Sequence, residues 1–101
     1  MKARYYYKDG TITSSYTDTE VLHRIDDPAI EYSDGEKDWW VDSKLHRVDG
    51  PAIVYASGNK EWYVDGKQYS EKEFSILIKE AKALPLALRL IDPREWVRKM
   101  I

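Results

Sequence analysis

The chain has 101 residues, of which 43% are hydrophobic and 34% are charged, and its formal net charge at pH 7 is −2. This length and balance predict a single globular domain, residues 1–101, with a modest core. The slight acidity argues against nucleic acid as a partner, because proteins held by phosphate contacts usually carry a basic excess. The sequence has no cysteine, which excludes disulfides, thiolate nucleophiles and zinc–thiolate sites.

The sequence also gives no sign of a membrane partner. The start, "MKARYYYKDG", lacks the apolar stretch of a signal peptide, and the longest apolar run, "ALPLALRLI", is too short to span a bilayer. We therefore expect a cytoplasmic protein.

The first predicted element is a hairpin within "YYYKDGTITSSY", residues 5–16. Asp9 and Gly10 supply a turn, and aromatic and β-branched residues flank it on both sides.

The next 46 residues contain the same stretch twice, without a gap. Residues 22–44 are "LHRIDDPAIEYSDGEKDWWVDSK" and residues 45–67 are "LHRVDGPAIVYASGNKEWYVDGK", with 14 of 23 positions identical. Each copy predicts a hairpin: a strand "PAIEY" or "PAIVY", a four-residue turn "SDGE" or "ASGN", and a return strand "KDWWVDS" or "KEWYVDG". With the N-terminal hairpin as a degenerate first unit, residues 1–67 predict an antiparallel meander of about six strands.

Alternation along these strands predicts which side chains are buried. The residues that stay identical at every second position should face the core, because a buried face constrains residue choice more than a solvent face does. The predicted core residues are Ile30, Tyr32, Trp39, Val41, Ile53, Tyr55, Trp62 and Val64.

The pattern becomes helical in residues 68–101. Ser70 and Glu73 have the spacing of a capping box, and Phe74, Leu77, Ile78 and Ala81 recur on one helical face. A second helix is predicted to start at Asp92-Pro93. The predicted fold class is therefore α+β: a β-hairpin repeat meander with one or two C-terminal helices.

The motif "LHR-x-D-x-PA" followed by "Y-x-x-G-x-K-x-W-x-V" resembles the MORN-like repeat in its Leu-His-Arg, Asp-Gly-Pro-Ala variant. The resemblance covers residues 22–67 well and residues 5–16 weakly. Such repeats are similar to those of small bacteriophage and large-virus proteins and of some antitoxin-like bacterial proteins. The resemblance implies a hairpin array used for binding rather than catalysis. The first copy departs from the pattern, with Asp27 and Ser43 in place of glycines.

Two sets of residues are candidates for a binding site. Exposed aromatic side chains mark protein interfaces, and the face opposite the predicted core carries Trp40, Tyr63 and Val54. The alternative set, His23, Arg24, His46 and Arg47, could grip a phosphate or carboxylate. A structural interpretation of the second set, with arginines paired to aspartates and histidines bonded to backbone, is favoured, because duplication of the whole unit alone explains the two copies. The sequence predicts no metal site, no cofactor and no catalytic residue, because neither a metal-ligand spacing nor a triad context is present.

These observations leave three functions open. The first is a non-enzymatic, phage-type inhibitor that engages and blocks a host defence protein in the bacterial cytoplasm. The second is a sponge that sequesters a nucleotide-like signal, and the third is an antitoxin-like or structural repeat module. Open sheet edges further predict a homodimer or a partner that docks at an edge.

Overall fold

The computed structural model describes residues 2–82. Within this range, one helix and nine short strands form: α1 (Glu71–Lys82), and β1 (Ala3–Tyr6), β2 (Ile12–Thr13), β3 (Ile30–Tyr32), β4 (Lys37–Asp38), β5 (Trp40–Val41), β6 (Lys44–Leu45), β7 (Ile53–Val54), β8 (Lys60–Val64) and β9 (Lys67–Tyr69). Seven of these strands make one antiparallel sheet in the order β2-β1-β3-β4-β7-β8-β9, and β5 pairs with β6. The predicted α+β fold with a hairpin meander is therefore confirmed.

The N-terminal hairpin joins the sheet in an order that the sequence does not reveal. β1 pairs with β2 on one side and with β3 on the other, so β2 forms the edge of the sheet. The segment that connects β2 to β3, residues 14–29, therefore crosses from one side of β1 to the other. The meander is regular from β3 onward within the large sheet.

Each repeat contains a second, tighter hairpin, which the sequence prediction missed. The predicted return strand of the second copy ends at Val64, and Asp65 and Gly66 form a turn with φ of 50° and 85°. In the first copy Asp42 and Ser43 take the same place, with φ of 50° and 60°. Two successive positive φ angles are typical of a type I′ hairpin turn, which an Asp-Gly pair favours.

The turn of each main hairpin is one residue shorter than predicted. The backbone N–H of Tyr55 donates to the carbonyl of Asn59, which leaves a three-residue loop with Gly58 at φ 93°. Ile53 consequently lies opposite Glu61 rather than Trp62. The first copy has the same register, with Ile30 opposite Asp38.

This register corrects the predicted core face. A shift of one residue moves a strand's side chains to the other face of the sheet. Trp62 and Val64 therefore lie on the face opposite Ile53 and Tyr55, although the prediction placed all four on one face. Within β8, alternation keeps Trp62 and Tyr63 on opposite faces, as expected. Trp39 lies between β4 and β5 and belongs to neither strand.

Most of the predicted core residues are buried. Ile30, Trp39, Val41, Ile53 and Val64 are at most 9% exposed, whereas Tyr32, Tyr55 and Trp62 are half-buried. The core consists of two apolar clusters, one near each end of the sheet. One contains Tyr7, Leu22 and Ile30, and the other contains Val64 and the apolar residues of α1.

The helix begins as predicted. Ser70 Oγ accepts a hydrogen bond from the Glu73 N–H at 3.1 Å, and a Glu73 carboxylate oxygen accepts one from the Ser70 N–H at 2.9 Å. The apolar side of α1 packs on Val64, with Trp62 and Tyr69 beside it. The second predicted helix lies outside the described residues. Of the helical residues described, none belongs to a segment long and apolar enough to cross a bilayer.

Candidate functional site

The strand register separates charge between the two faces of the sheet. Residues directly opposite each other in an antiparallel pair direct their side chains to the same face. The acidic face, as we define it, contains Tyr5, Ile30, Tyr32, Glu36, Asp38, Ile53, Tyr55, Glu61, Tyr63 and Gln68. The basic face contains Arg4, Tyr6, Glu31, Lys37, Val54, Lys60, Trp62, Val64 and Lys67.

On the acidic face, none of these strand positions within residues 2–82 carries a lysine or arginine. Helix α1 packs on the other face, against Trp62 and Val64. The acidic face lies on the side of the sheet away from the helix. Its central row, Ile30, Asp38 and Ile53, is buried, and half-exposed tyrosines and carboxylates flank that row.

In the second repeat, Glu61 is the centre of a satisfied hydrogen-bond network. Its carboxylate accepts hydrogen bonds from the Tyr55 hydroxyl at 2.5 Å, the Tyr63 hydroxyl at 3.0 Å and the Gln68 amide at 3.3 Å. The hydrogen bond to Glu61 is the main reason that the pKa of Tyr55 rises to about 12, with desolvation and the charges of Glu61 and Glu36 adding to it. Both tyrosine hydroxyls thus remain protonated donors at neutral pH.

In the first repeat, Asp38 takes the position of Glu61 but is buried. It is 6% exposed, and its Oδ1 has no hydrogen-bond partner within the described part of the chain. Desolvation is the main cause that raises the pKa of Asp38 to about 7, and the nearby Glu36 carboxylate raises it further. The Tyr32 hydroxyl and the Trp40 indole N–H act in the opposite direction. Asp38 is therefore a buried carboxyl whose charge is poorly compensated.

The same carboxylates affect Tyr32. Desolvation, followed by the charges of Asp38 and Glu36, raises the pKa of the Tyr32 hydroxyl to about 12. This dependence indicates that Glu36 and Asp38 both lie close to Tyr32 and that the local potential is negative.

The three residues predicted to form a protein interface do not lie on one surface. Tyr63 is half-buried on the acidic face, with its hydroxyl bonded to Glu61. Trp40 packs against the cluster of Tyr7, Leu22 and Ile30, and its indole N–H lies close to the Asp38 carboxyl. Val54 lies on the basic face, opposite Lys37 and Lys60. Only Tyr63 and Trp40 could therefore contribute to a common surface.

The two histidines hold the tight hairpins. His23 Nδ1 accepts a hydrogen bond from the Asp42 N–H at 3.1 Å, and His46 Nδ1 accepts one from the Asp65 N–H at 2.9 Å. Both bonds span 19 residues, and both end at the first residue of a type I′ turn. This geometry matches the structural interpretation, in which the histidines bond backbone.

The two arginines are engaged in the same way in each repeat. The guanidinium of Arg24 lies 3.9 Å from the ring centroid of Tyr6, and that of Arg47 lies 3.9 Å from the ring centroid of Trp39. Each also donates to the carbonyl of the proline four residues later, at 3.2 Å and 3.1 Å. Arg47 Nε further donates to Asp49 at 3.0 Å.

These contacts join neighbouring units, because Trp39 belongs to the first repeat and Arg47 to the second. His23, Arg24, His46 and Arg47 do not converge on a described cavity. A groove of about 520 Å³ lies instead at the N-terminal hairpin, between Lys2, Arg4, Ile12 and Tyr32.

The sequence prediction missed the carboxylates of the acidic face. The predicted four-residue turn places Trp62, not Glu61, opposite Ile53. A usable signal was present: Asp38 and Glu61 occupy the same repeat position, each two residues before Trp40 or Tyr63. Among residues 2–82, no three histidine, aspartate or glutamate side chains are grouped so that they could hold a metal ion.

Comparisons with protein-family models, with curated proteins and with solved structures found no match for this chain. The resemblance to MORN-like repeats therefore stays a prediction from the repeat motif.

Proposed function

We propose that this chain is a non-enzymatic binding protein that engages and blocks a partner protein through the acidic face of its sheet. The observation that carries the proposal is the placement of α1 on the opposite face, which leaves the half-exposed tyrosines of the acidic face away from the helix. Tyrosine is enriched at interface hot spots, because it contributes a large contact area together with a hydroxyl donor.

The finer role follows from the repeat resemblance. In the form that we propose, the partner is a host defence protein, and the chain acts as a phage-type inhibitor in the bacterial cytoplasm. A sheet face that presents rigid aromatic side chains loses little conformational entropy on binding, which suits an inhibitor that must block a surface.

The nucleotide sponge has less support from the geometry. An anionic ligand needs free, charge-assisted donors gathered in one pocket. The guanidiniums of Arg24 and Arg47 instead stack on aromatic rings and donate to carbonyls of their own repeat. Their removal should therefore affect the stability of the fold more than the binding of a partner.

Site-specific photo-crosslinking tests the proposal. A photoreactive phenylalanine analogue replaces Tyr63 on the acidic face in one variant and Lys60 on the basic face in another, and both are exposed to a bacterial lysate. We expect a discrete protein adduct from position 63 and none from position 60, and the purified partner should form the same adduct. No adduct from either position, or equal adducts from both, would refute the proposed surface. A nucleotide released when the purified chain is heat-denatured would favour the sponge.

A further inference from the structure

The centre of the acidic face has the composition of a cation site. Tyr32 N–H donates to the carbonyl of Glu36 at 2.9 Å, which places these two residues opposite each other on β3 and at the start of β4. Lys37 lies opposite Val54, so the same antiparallel register places Glu36 opposite Tyr55. Glu36 is therefore flanked by Tyr32 on one side and Tyr55 on the other.

The spacing of this row suits one cationic group. Two steps between neighbouring strands, of about 4.8 Å each, place the backbones of Tyr32 and Tyr55 about 10 Å apart. An ammonium or guanidinium group above Glu36 would then lie between the two tyrosine positions, and aromatic rings attract cations. The carboxylate of Glu36 supplies the opposite charge.

A second observation on the same face is the buried Asp38. Its side chain is 6% exposed, it lies two residues from Glu36 on the same face, and its Oδ1 has no hydrogen-bond partner among the described residues. Burial disfavours the charged form of this carboxyl, and an external cation nearby would offset part of that cost. The neighbouring residues in its row, Ile30 and Ile53, are apolar and cannot do so.

We propose that Glu36, flanked by Tyr32 and Tyr55 and close to Asp38, receives a lysine or arginine side chain of a partner protein. The inference rests on the proposed function and specifies the chemistry of the partner: a basic segment that docks on the acidic face. A basic segment matches the charge of the acidic face only, because the basic residues of the sheet, such as Lys37 and Lys60, lie on the other face.

The basic segment would cross the sheet rather than add a strand to its edge. The site lies at the last residue of β3, just before β4 and just after β7, which are strands in the middle of the order, whereas β2 and β9 form the edges. Specificity would come from the cationic side chain, and the neighbouring tyrosines Tyr55 and Tyr63 would supply contact area.

The site can be tested without the partner. N-acetyl-arginine amide and N-acetyl-lysine amide are titrated into the full ¹⁵N-labelled chain, with N-acetyl-alanine amide as the uncharged probe. We expect amide shifts that cluster at Tyr32, Glu36, Asp38 and Tyr55 with the two cationic probes only. Glu36→Gln should weaken the fitted affinity about fivefold, the effect expected of one exposed ion pair.

The matched control is Glu20→Gln, which removes one negative charge from an exposed loop residue of the N-terminal segment. It should leave the clustered shifts and the fitted affinity unchanged, and the spectra report directly whether each variant folds. Shifts spread over all exposed carboxylates, or an equal loss in both variants, would overturn the cation site. If a crosslinked partner binds the Glu36→Gln variant as well as wild type, this inference alone is overturned. If the amide shifts cluster as expected but no partner is crosslinked, only the proposed function is overturned.

Discussion

The buried carboxyl of Asp38 should make the stability of the protein fall as the pH rises from 5 to 8. The pKa of this group is about 7 in the folded chain, against 3.8 for an unperturbed aspartate. Between these two values the folded state holds a proton that the unfolded state has lost, so each increase in pH favours unfolding. The loss begins above the unfolded pKa and is complete above pH 7.

The size of the effect follows from the same two values. One proton limits the slope to about 1.4 kcal/mol per pH unit, and the part that falls between pH 5 and pH 8 amounts to about 2–3 kcal/mol. Asp38→Asn removes the titration and keeps the shape of the side chain. The variant should match wild type only below the unfolded pKa, and its advantage should grow by about 2–3 kcal/mol between pH 5 and pH 8.

Urea denaturation at several pH values between 5 and 8 measures this difference, with Glu20→Gln as a control for the loss of one charge. Subtracting the two unfolding free energies at each pH removes the contributions of other titrating groups, including Glu73, whose hydrogen bonds at the helix N-terminus lower its pKa. A difference between wild type and Asp38→Asn that stays flat with pH would refute the reasoning. So would a variant that is less stable at pH 8.

Three further predictions concern stability and are measured by the same urea denaturation. Trp62→Ala should cost about 2–4 kcal/mol, because the ring packs against the cluster under α1, and Tyr63→Ala about 1–2 kcal/mol; equal losses would contradict the face assignment. Arg47→Ala should cost about 2 kcal/mol, because it removes a ring contact and two hydrogen bonds; a loss below about 0.5 kcal/mol, the range of ordinary surface changes, would show that the contact does not join the repeats. Ser70→Ala should cost about 1 kcal/mol as a lost helix cap, whereas Ser75→Ala, exposed on α1, should cost nearly nothing; equal effects would contradict the cap.

The duplicated stretch made the hairpins predictable. The pairing register of their strands could not be predicted, because it depends on the turns. Alternation of residue types and the glycines at positions 35 and 58 are local signals, and they indicated strands in the right places. The pairing register depends instead on whether the loop after Tyr55 has three or four residues. That choice is set by one backbone hydrogen bond from Tyr55 to Asn59, and it decides whether Glu61 or Trp62 shares a face with Ile53.

The helix start was predictable for a related reason. A capping box is a contact between residues three apart, so the sequence contains both partners of the bond between Ser70 and Glu73. The burial of Asp38 is different in kind. It depends on side chains from β3 and β5 that surround the carboxyl, and a strand pattern cannot distinguish such a position from the half-exposed one of Glu61.

The differences between the two repeats explain why the cation site belongs to the first one. The residues that hold the fold are identical in both copies: the histidine at each tight turn, the arginine on each aromatic ring and the proline carbonyl that it contacts. On the acidic face the copies differ, because Glu36 is matched by Asn59 and Asp38 by Glu61. The longer Glu61 carries its charge among three donors, whereas the shorter Asp38 is buried beside a second carboxylate. Duplication has therefore kept one scaffold and placed two neighbouring carboxyl groups, Glu36 and Asp38, in the first repeat, where a partner's cation gains most by binding.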